Sequence, residues 1–290
     1  MSDFYFPGKE SAGSCCLMVG SSAVVLDPGM AYMADDMIKM ITQIIGDRPV
    51  EAILLSHSHY DHVAGLPSFR RKWPDAKVYA ADYAASVLEK EGARKTIKKL
   101  SADAAAANNT VVPADYDENL LYVDMVVHDG DVLTFGDQTF TVVECVGHTK
   151  CSVSYLTGDG LLLACETLGL PNVDESYNPE FLVSWIKARD SIEKCRNLNV
   201  REIYLPHHGL YGDPAANGIW TWMENGIEDT RIKLLDILDR CPDEESQTLE
   251  MEKLYWHPER KGGWPRSAFD INAQAMLRTI KKEFLITQTS

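Results

Sequence analysis

A long apolar run, a secretory signal and a Cys-x-x-Cys pair are all missing from this 290-residue sequence. Its longest apolar stretches, such as residues 52–55 and 161–165, have the length of a strand and are too short for a transmembrane helix. The first residues lack the basic start and the apolar run of a signal peptide. The sequence therefore predicts a protein that neither crosses a membrane nor is exported.

Basic residues are scarce, with 28 Lys and Arg against 43 Asp and Glu, and the formal net charge is −15. Binding to nucleic acids depends on Lys and Arg that neutralise phosphates, and an anionic membrane surface repels an acidic protein. We therefore expect neither nucleic acid nor membrane as a partner. The charge itself is interpreted as a feature that favours solubility.

The seven cysteines are odd in number and scattered along the chain. Scattered cysteines in a chain of this length mostly behave as small buried hydrophobic residues, which predicts a reducing, cytoplasmic environment. The Gly-x-Ser-x-Gly motif of serine hydrolases is also absent, so the sequence does not support that class of enzyme.

Strand and helix patterns alternate in the first part of the chain and give way to helical patterns alone in the last part. Short apolar runs between turns predict strands, for example at residues 139–145, and an apolar pattern at helical spacing predicts a helix at residues 181–198. An alanine-rich, charged stretch at residues 92–124 is interpreted as a helical insertion. We therefore predict an α/β domain over residues 1–213 and a C-terminal helical lid or appendage over residues 214–290.

The most informative motif is His-Ser-His-Tyr-Asp-His at residues 57–62, directly after a predicted strand. Alternate residues of an extended segment point the same way, so His57 and His59 can reach one ion together. The turn that follows can aim Asp61 and His62 at a neighbouring position. Imidazole nitrogens and carboxylate oxygens are ligands of Zn²⁺ and related ions, and three histidines packed so closely have no obvious use in a core. The motif therefore predicts a metal site.

Three more histidines follow predicted strands, where α/β folds place their functional sites. His148 lies in a Gly-His-Thr run, and His207 and His208 lie in a Pro-His-His-Gly run. His128 and His257 have no such context, and we predict that they are surface or structural residues.

The order of these motifs resembles the metallo-beta-lactamase superfamily. H-x-H-x-D-H after a strand is followed by Gly-His-Thr, by an acidic residue after a hairpin and by a late His-Gly, over residues 12–212. The resemblance implies an αβ/βα sandwich with a site for two metal ions at one edge of the two sheets. Zinc is the expected metal, although iron and manganese take the same ligands.

The resemblance also implies six ligands in two sets: His57, His59 and His148 for the first ion, and Asp61, His62 and His208 for the second. His208 matches the late histidine of the family better than His207 does, because it directly precedes Gly209. The bridging ligand of the family is usually an Asp, whereas here Glu166 occupies that place. Asp159 is an alternative, but it lies one strand too early.

Two ions held in this way activate water and polarise the bond to be hydrolysed. We predict that Asp61 orients the nucleophile and that the Tyr60 hydroxyl faces the developing oxyanion. The alternative for Tyr60 is packing beneath the loop. Cys165, next to Glu166, is interpreted as a buried strand cysteine.

The helical C-terminal part is similar to that of glyoxalase II-like thioesterases and of PqsE-type quinolone-response proteins. Two interpretations of its aromatic residues remain open: they line a substrate pocket, or they attach the helices to the body. They are Trp220, Trp222, Tyr255, Trp256 and Trp264.

We predict a metal-dependent hydrolase that acts on a small ester, thioester or lactone. The oligomeric state is left open, with a homodimer as the candidate. A phosphodiester or nucleotide hydrolase on the same fold is one alternative. A non-catalytic metal-binding protein that acts through a partner is another. A flavodiiron-type oxidoreductase is disfavoured, because that family usually has Glu where His59 stands.

Overall fold

The computed structural model describes residues 3–7, 13–172, 174–257 and 266–286. The strands of the first sheet, in chain and in spatial order, are β1 (Asp3–Tyr5), β2 (Cys16–Val19), β3 (Ala23–Leu26), β4 (Val50–Leu54), β5 (Lys77–Ala81) and β6 (Met125–Val127). The remaining strands are β7 (Val132–Phe135), β8 (Gln138–Glu144), β9 (Val153–Thr157), β10 (Leu161–Leu163), β11 (Leu170–Pro171), β12 (Tyr177–Asn178), β13 (Glu202–Leu205) and β14 (Gly209–Leu210). The second sheet has the order β14-β13-β10-β9-β8-β7, and β11 and β12 form a separate ribbon.

The helices are α1 (Ala34–Ile45), α2 (Tyr60–Val63), α3 (Leu66–Lys72), α4 (Asp82–Leu88), α5 (Glu91–Ala107), α6 (Trp185–Arg196), α7 (Ile219–Arg240), α8 (Glu244–Tyr255) and α9 (Arg266–Ile280). Single 3-10 turns occur at Ala31–Met33, Glu118–Leu120 and Glu166–Leu168, and a π-helical turn at Lys281–Ile286 follows α9. Within the described ranges, a helix with the length and apolar character of a membrane span is absent.

Strand direction brings several strand ends to one edge of the molecule. In the first sheet, β3, β4, β5 and β6 run parallel. In the second sheet, β9 is antiparallel to both β8 and β10, and β10 is parallel to β13. The strands β8, β10 and β13 therefore point the same way, and the segments that follow them leave the sheet at a common edge.

Three apolar clusters define the layers. Residues from both sheets, such as Leu54 and Tyr155, form the core between the sheets. The outer face of the first sheet packs against a cluster that contains Ile41 and Phe69 from α1 and α3. The outer face of the second sheet packs against a cluster that contains Trp185 from α6. This helix-sheet-sheet-helix order is the predicted αβ/βα architecture, and the expected fold class is confirmed.

The C-terminal helices share the second outer cluster with the body of the protein. Trp220 and Tyr255 are buried there together with Trp185 of α6, and Trp222 and Trp256 are partly buried against it. These contacts favour the attachment role over the pocket-wall role for the described aromatic residues. Trp264 lies outside the described residues.

Two predicted elements differ from the structure. The stretch 92–124 is helical only in α5; beyond Asn109, whose φ of 54° ends the helical path, one 3-10 turn precedes strand β6, which the sequence did not predict. The helix predicted at 181–198 begins only at Trp185. Ser184 is its N-cap, and its hydroxyl accepts a hydrogen bond from the Lys187 N–H at 3.1 Å.

Candidate metal centre

The histidine loop leaves the carboxyl end of the central parallel strand β4. The extended segment after Leu54 carries His57 and His59, and the chain then turns into the short helix α2, which carries Asp61 and His62. His57 and His62 are buried, whereas His59 and Asp61 are half-buried. The predicted division of the motif into an extended pair and a turned pair is therefore found in the structure.

The second sheet supplies the other side of the centre from the common edge. His148 follows β8, Glu166 follows β10, and His207 follows β13. His148 and Glu166 are buried and His207 is half-buried. The ligand candidates thus lie together where the carboxyl ends of strands from both sheets meet.

The first group of candidate ligands contains His57, His59, His148 and Glu166, whose donor atoms all lie within 4.8 Å of one another. Nε2 of His148 is 2.8 Å from Oε2 of Glu166 and 2.9 Å from Nδ1 of His59. Nε2 of His57 is 3.7 Å from the same Glu166 oxygen. Two imidazoles therefore face one carboxylate oxygen, and the third, His59, faces His148.

The second group contains Asp61, His62, His207 and again Glu166, within the same 4.8 Å limit. Oε1 of Glu166 is 2.9 Å from Nε2 of His207 and 3.4 Å from Nε2 of His62. Oδ2 of Asp61 is 3.7 Å from Nε2 of His62 and 3.8 Å from Nε2 of His207. Each oxygen of Glu166 thus faces one group, which is the arrangement expected of a bridging carboxylate.

The second group contains His207, whereas the resemblance implied His208 at this place. Pro206 and His207 are the central residues of a tight turn in which the His208 N–H donates to the Leu205 carbonyl at 3.2 Å. His207 has a φ of 66°, as in the third position of a type II turn, where Gly or Asn is usual. This conformation places the imidazole of His207 against Glu166, and the structure puts His208 in neither group.

The donor atoms fit bound cations. Nε2 of His57 is buried and has no hydrogen-bond partner within the described part of the chain. The facing nitrogens of His59 and His148 can share only one proton between them. Buried ring nitrogens and a carboxylate that face one another need a proton or a metal ion between them, and the mixture of nitrogen and carboxylate oxygen suits divalent transition metals.

The pKa values in the centre reflect this crowding. Burial favours the neutral form of Glu166, but the positive charges of His148 and His62 outweigh it and hold the pKa of Glu166 well below its usual range. Burial also opposes protonation of His148, yet Glu166 raises the pKa of His148 to about 9. Burial dominates at His57, whose pKa lies well below normal, and it lowers the pKa of His59 to about 4. Protons therefore balance the carboxylate charge when no ion is bound.

Two residues that orient the ligands were missed in the sequence. Asp27, with a φ of 48°, accepts hydrogen bonds through Oδ2 from His62 Nδ1 at 2.8 Å and from the Ser56 hydroxyl at 2.7 Å. The backbone carbonyl of Glu180 lies 2.7 Å from Nδ1 of His148. Both contacts leave the Nε2 atoms facing Glu166. The Asp-Pro-Gly run after β3 was a signal for the first, whereas a backbone carbonyl leaves no signal.

The other candidates lie as follows. Tyr60 packs against the outer cluster of the first sheet, as its alternative interpretation expected, and burial raises its pKa. Its predicted role at an oxyanion stays a prediction. His128 is 71% exposed and pairs with Asp131, as a surface residue should. Cys165 is buried beside β10, and Asp159 accepts a hydrogen bond from Thr157 in its turn, so neither joins the two groups.

Comparison with known protein families gives one match that covers most of the chain. The sequence model of the metallo-beta-lactamase superfamily matches residues 8–207. Hydroxyacylglutathione hydrolase of Yersinia pestis (strain Pestoides F) is 28% identical over 222 residues, which are 74% of this chain and 71% of the relative. The hydroxyacylglutathione hydrolase of Hamiltonella defensa is 28% identical over 162 residues, 53% of this chain and 49% of the relative.

Solved structures show the same fold at low sequence identity. A metallo-beta-lactamase superfamily protein from Sulfolobus tokodaii has a TM-score of 0.61 at 16% identity, over 97% of this chain and 99% of its own. A metallo-beta-lactamase family protein from Thermus thermophilus has a TM-score of 0.64 at 16% identity, over 93% of this chain and 88% of its own. The first of these similarities extends over nearly the whole chain, including its C-terminal helices.

Proposed function

Because this chain belongs to the metallo-beta-lactamase superfamily, we propose that it hydrolyses a small thioester or ester at a centre of two metal ions. Its family and its relatives identify it as a metal-dependent hydrolase. The observation that carries the proposal is Glu166, whose two oxygens separate seven candidate ligands into two groups that share only this residue. Two ions in one hydrolytic centre suit the attack of water on a carbonyl group.

In this proposal His57, His59 and His148 would hold the first ion and Asp61, His62 and His207 the second, and Glu166, which belongs to both groups, would be available to both ions. Such ions lower the pKa of water and polarise the bond that is cleaved. Zinc suits these ligands best, and iron or manganese also fits them.

The residues of the chain itself supply orientation. Asp61 is the most accessible carboxylate of the centre, with 21% of its side chain exposed against 7% for Glu166. It can therefore accept a hydrogen bond from a water molecule that reaches the centre and direct that water towards the substrate. Asp27 and the Glu180 carbonyl hold the rings of His62 and His148 in place, so that little reorganisation accompanies the reaction.

The substrate class rests on the relatives. The curated relatives named above are hydroxyacylglutathione hydrolases, which favours a thioester as the substrate of this chain. The net charge of −15 supports a small molecule and disfavours a nucleic acid. The homodimer stays a prediction.

The proposal is tested by elemental analysis of the purified protein together with an assay on an S-acyl glutathione, a lactone and a phosphodiester. We expect two ions per chain and thioester hydrolysis. The variant His59→Ala should lose at least one ion and lower kcat/KM by more than about 100-fold. The matched control is His128→Ala at an exposed position, which should keep both ions and the kcat/KM of the parent.

Full activity of metal-free protein in a strong chelator would rule out the metal centre. If the protein bound two ions but hydrolysed only the phosphodiester, it would be a phosphodiester hydrolase, the alternative named in the sequence analysis. Two bound ions without any hydrolysis would favour a regulatory protein.

A further inference from the structure

Helix α6 receives an unusual cap from the far end of the chain. The carboxylate of Glu283, in the π-helical turn after α9, accepts a hydrogen bond from the Ser184 hydroxyl at 2.6 Å, 99 residues away in sequence. It also accepts from the backbone N–H groups of Trp185 at 3.0 Å and Ile186 at 3.2 Å. A carboxylate with three donors at a helix N-terminus is a strong, charge-assisted contact.

Further contacts join the same two parts of the chain. The Thr279 hydroxyl in α9 donates to the Leu182 carbonyl at 3.0 Å. The indole N–H of Trp185 donates to the Ile227 carbonyl in α7 at 2.9 Å, and its ring packs edge-on against Phe284 at 5.3 Å between centroids. The segment 180–184 and the start of α6 are therefore fixed from the side of the C-terminal helices.

The opposite side of this segment holds the turn that carries His148. The N–H groups of Val183 and Ser184 donate to the Gly147 carbonyl at 2.9 and 3.3 Å. The Ser191 hydroxyl of α6 donates to the Val146 carbonyl at 3.0 Å. Both residues before His148 are thus anchored to α6 or to the segment that precedes it.

The imidazole of His148 is held by the same segment. Its Nδ1 lies 2.7 Å from the backbone carbonyl of Glu180, and this contact turns Nε2 towards Glu166. The orientation of a metal-binding histidine depends on the partner of its other ring nitrogen. The position of the Glu180 carbonyl therefore determines the direction in which Nε2 of His148 points.

We propose that Glu283 is a positioning residue for His148 and acts through the N-terminus of α6. The inference rests on the proposed metal site. Glu283 does not touch His148; it fixes the segment 180–184, and that segment fixes both the backbone and the ring of His148. In this arrangement the C-terminal helices support the first metal group through α6 and the segment before it, and they contribute no ligand.

Cobalt(II) binding to the full chain tests this role, with chelator competition and the visible absorption of the bound ion as readouts. For Glu283→Ala we expect the affinity for one of the two ions to fall about tenfold, with an altered cobalt spectrum. Glu283→Gln keeps one acceptor oxygen and should restore part of the affinity. The ion held by Asp61, His62 and His207 should be affected less.

The matched control is Asp243→Ala. Asp243 caps α8 by accepting from the Ser246 N–H at 2.8 Å, but α8 lies outside the path to His148. This variant should lower thermal stability and leave cobalt affinity unchanged. Should Glu283→Ala fail to fold, Glu283→Gln and Thr279→Val carry the test, each with a smaller loss of affinity expected.

If the folded Glu283 variants kept the cobalt affinity and the cobalt spectrum of the parent, the inference would be overturned. The proposed metal centre would still stand. If Asp243→Ala lost as much cobalt affinity as Glu283→Ala, the inference would also be overturned, because the loss would then reflect stability alone. A parent protein that binds no cobalt would overturn both this inference and the proposed function.

Discussion

Glu166 is the residue at which this chain departs from the Asp that the family resemblance implied. It begins the 3-10 turn Glu166–Leu168 directly after Cys165, and its oxygens lie 2.8 Å from His148 Nε2 and 2.9 Å from His207 Nε2. The longer side chain of Glu lets one carboxylate reach both groups from this turn. An Asp at the same backbone position would fall short of at least one of them.

We therefore expect Glu166→Ala to lose at least one metal ion and Glu166→Asp to retain metal but to turn over more slowly. A misplacement of about 1 Å in a catalytic centre costs about 100-fold in rate. Elemental analysis and kcat/KM on the same preparations measure both effects. If Glu166→Ala bound both ions and worked as fast as the parent, Glu166 would not be a ligand.

The adjacent histidines 207 and 208 provide an internal test of the second group. Because His207 faces Glu166 and Asp61 across the centre, His207→Ala should lower the affinity for the second ion by about 10-fold or more. His208→Ala is the matched control and should keep both ions. Competition with a chelator distinguishes the two variants, and the reverse result would restore the assignment made from the sequence.

At the scale of elements, the centre depends on how closely α6 approaches the turn before His148. A β-carbon on Gly147 would lie 2.6 Å from Cβ of Ala188 in α6 and 2.7 Å from Cγ2 of Thr167, which follows Glu166. Only a residue without a side chain fits between the helix and the two ligand-bearing turns. Gly147 is therefore a packing requirement for the site.

Gly147→Ala should destabilise the protein by about 1–3 kcal/mol, because the surrounding structure has to shift, and should also weaken metal binding. The control is Gly92→Ala. Gly92 lies on the exposed side of α5, where an added β-carbon would have no atom within 4 Å. This substitution should stabilise the helix by about 0.5–1 kcal/mol. Denaturant unfolding of both variants provides the comparison, and equal stabilities would contradict the packing argument.

At the scale of the whole molecule, metal binding is coupled to protonation. Metal-binding imidazoles have to be neutral, whereas in the metal-free centre Glu166 raises the pKa of His148 to about 9. Below that pH, an incoming ion displaces a proton. Affinity should therefore rise with pH up to about 9 and fall by about tenfold per pH unit below it for each proton released.

Calorimetric titration of metal-free protein with zinc at pH 7.5, in two buffers of different ionisation enthalpy, measures the number of protons released. We expect at least one proton per chain. The same titration of Glu166→Gln should release fewer protons, because the neutral amide no longer raises the pKa of His148. Zinc affinity that does not change between pH 6 and 9 would contradict the coupling.

The sequence by itself determined the type of chemistry and the elements that present it. The histidine motif after β4, the Gly-His-Thr run after β8 and the acidic residue after β10 could be recognised because ligand types and strand ends are local properties of a sequence. Six of the seven predicted ligands, His57, His59, Asp61, His62, His148 and Glu166, lie together in the structure. The αβ/βα fold followed from the same motifs by family resemblance.

Only the tertiary structure decided the properties that depend on backbone direction and on contacts between distant residues. The position of His207, rather than His208, in the second group depends on a left-handed φ of 66°, which is uncommon for any residue except glycine, and residue preferences do not tell which of two adjacent histidines adopts it. The hydrogen bond from the Glu180 carbonyl to His148 and the cap that Glu283 places on α6 join residues far apart in sequence. Such contacts form only when the two sheets and the C-terminal helices have packed, so no local pattern of residues encodes them.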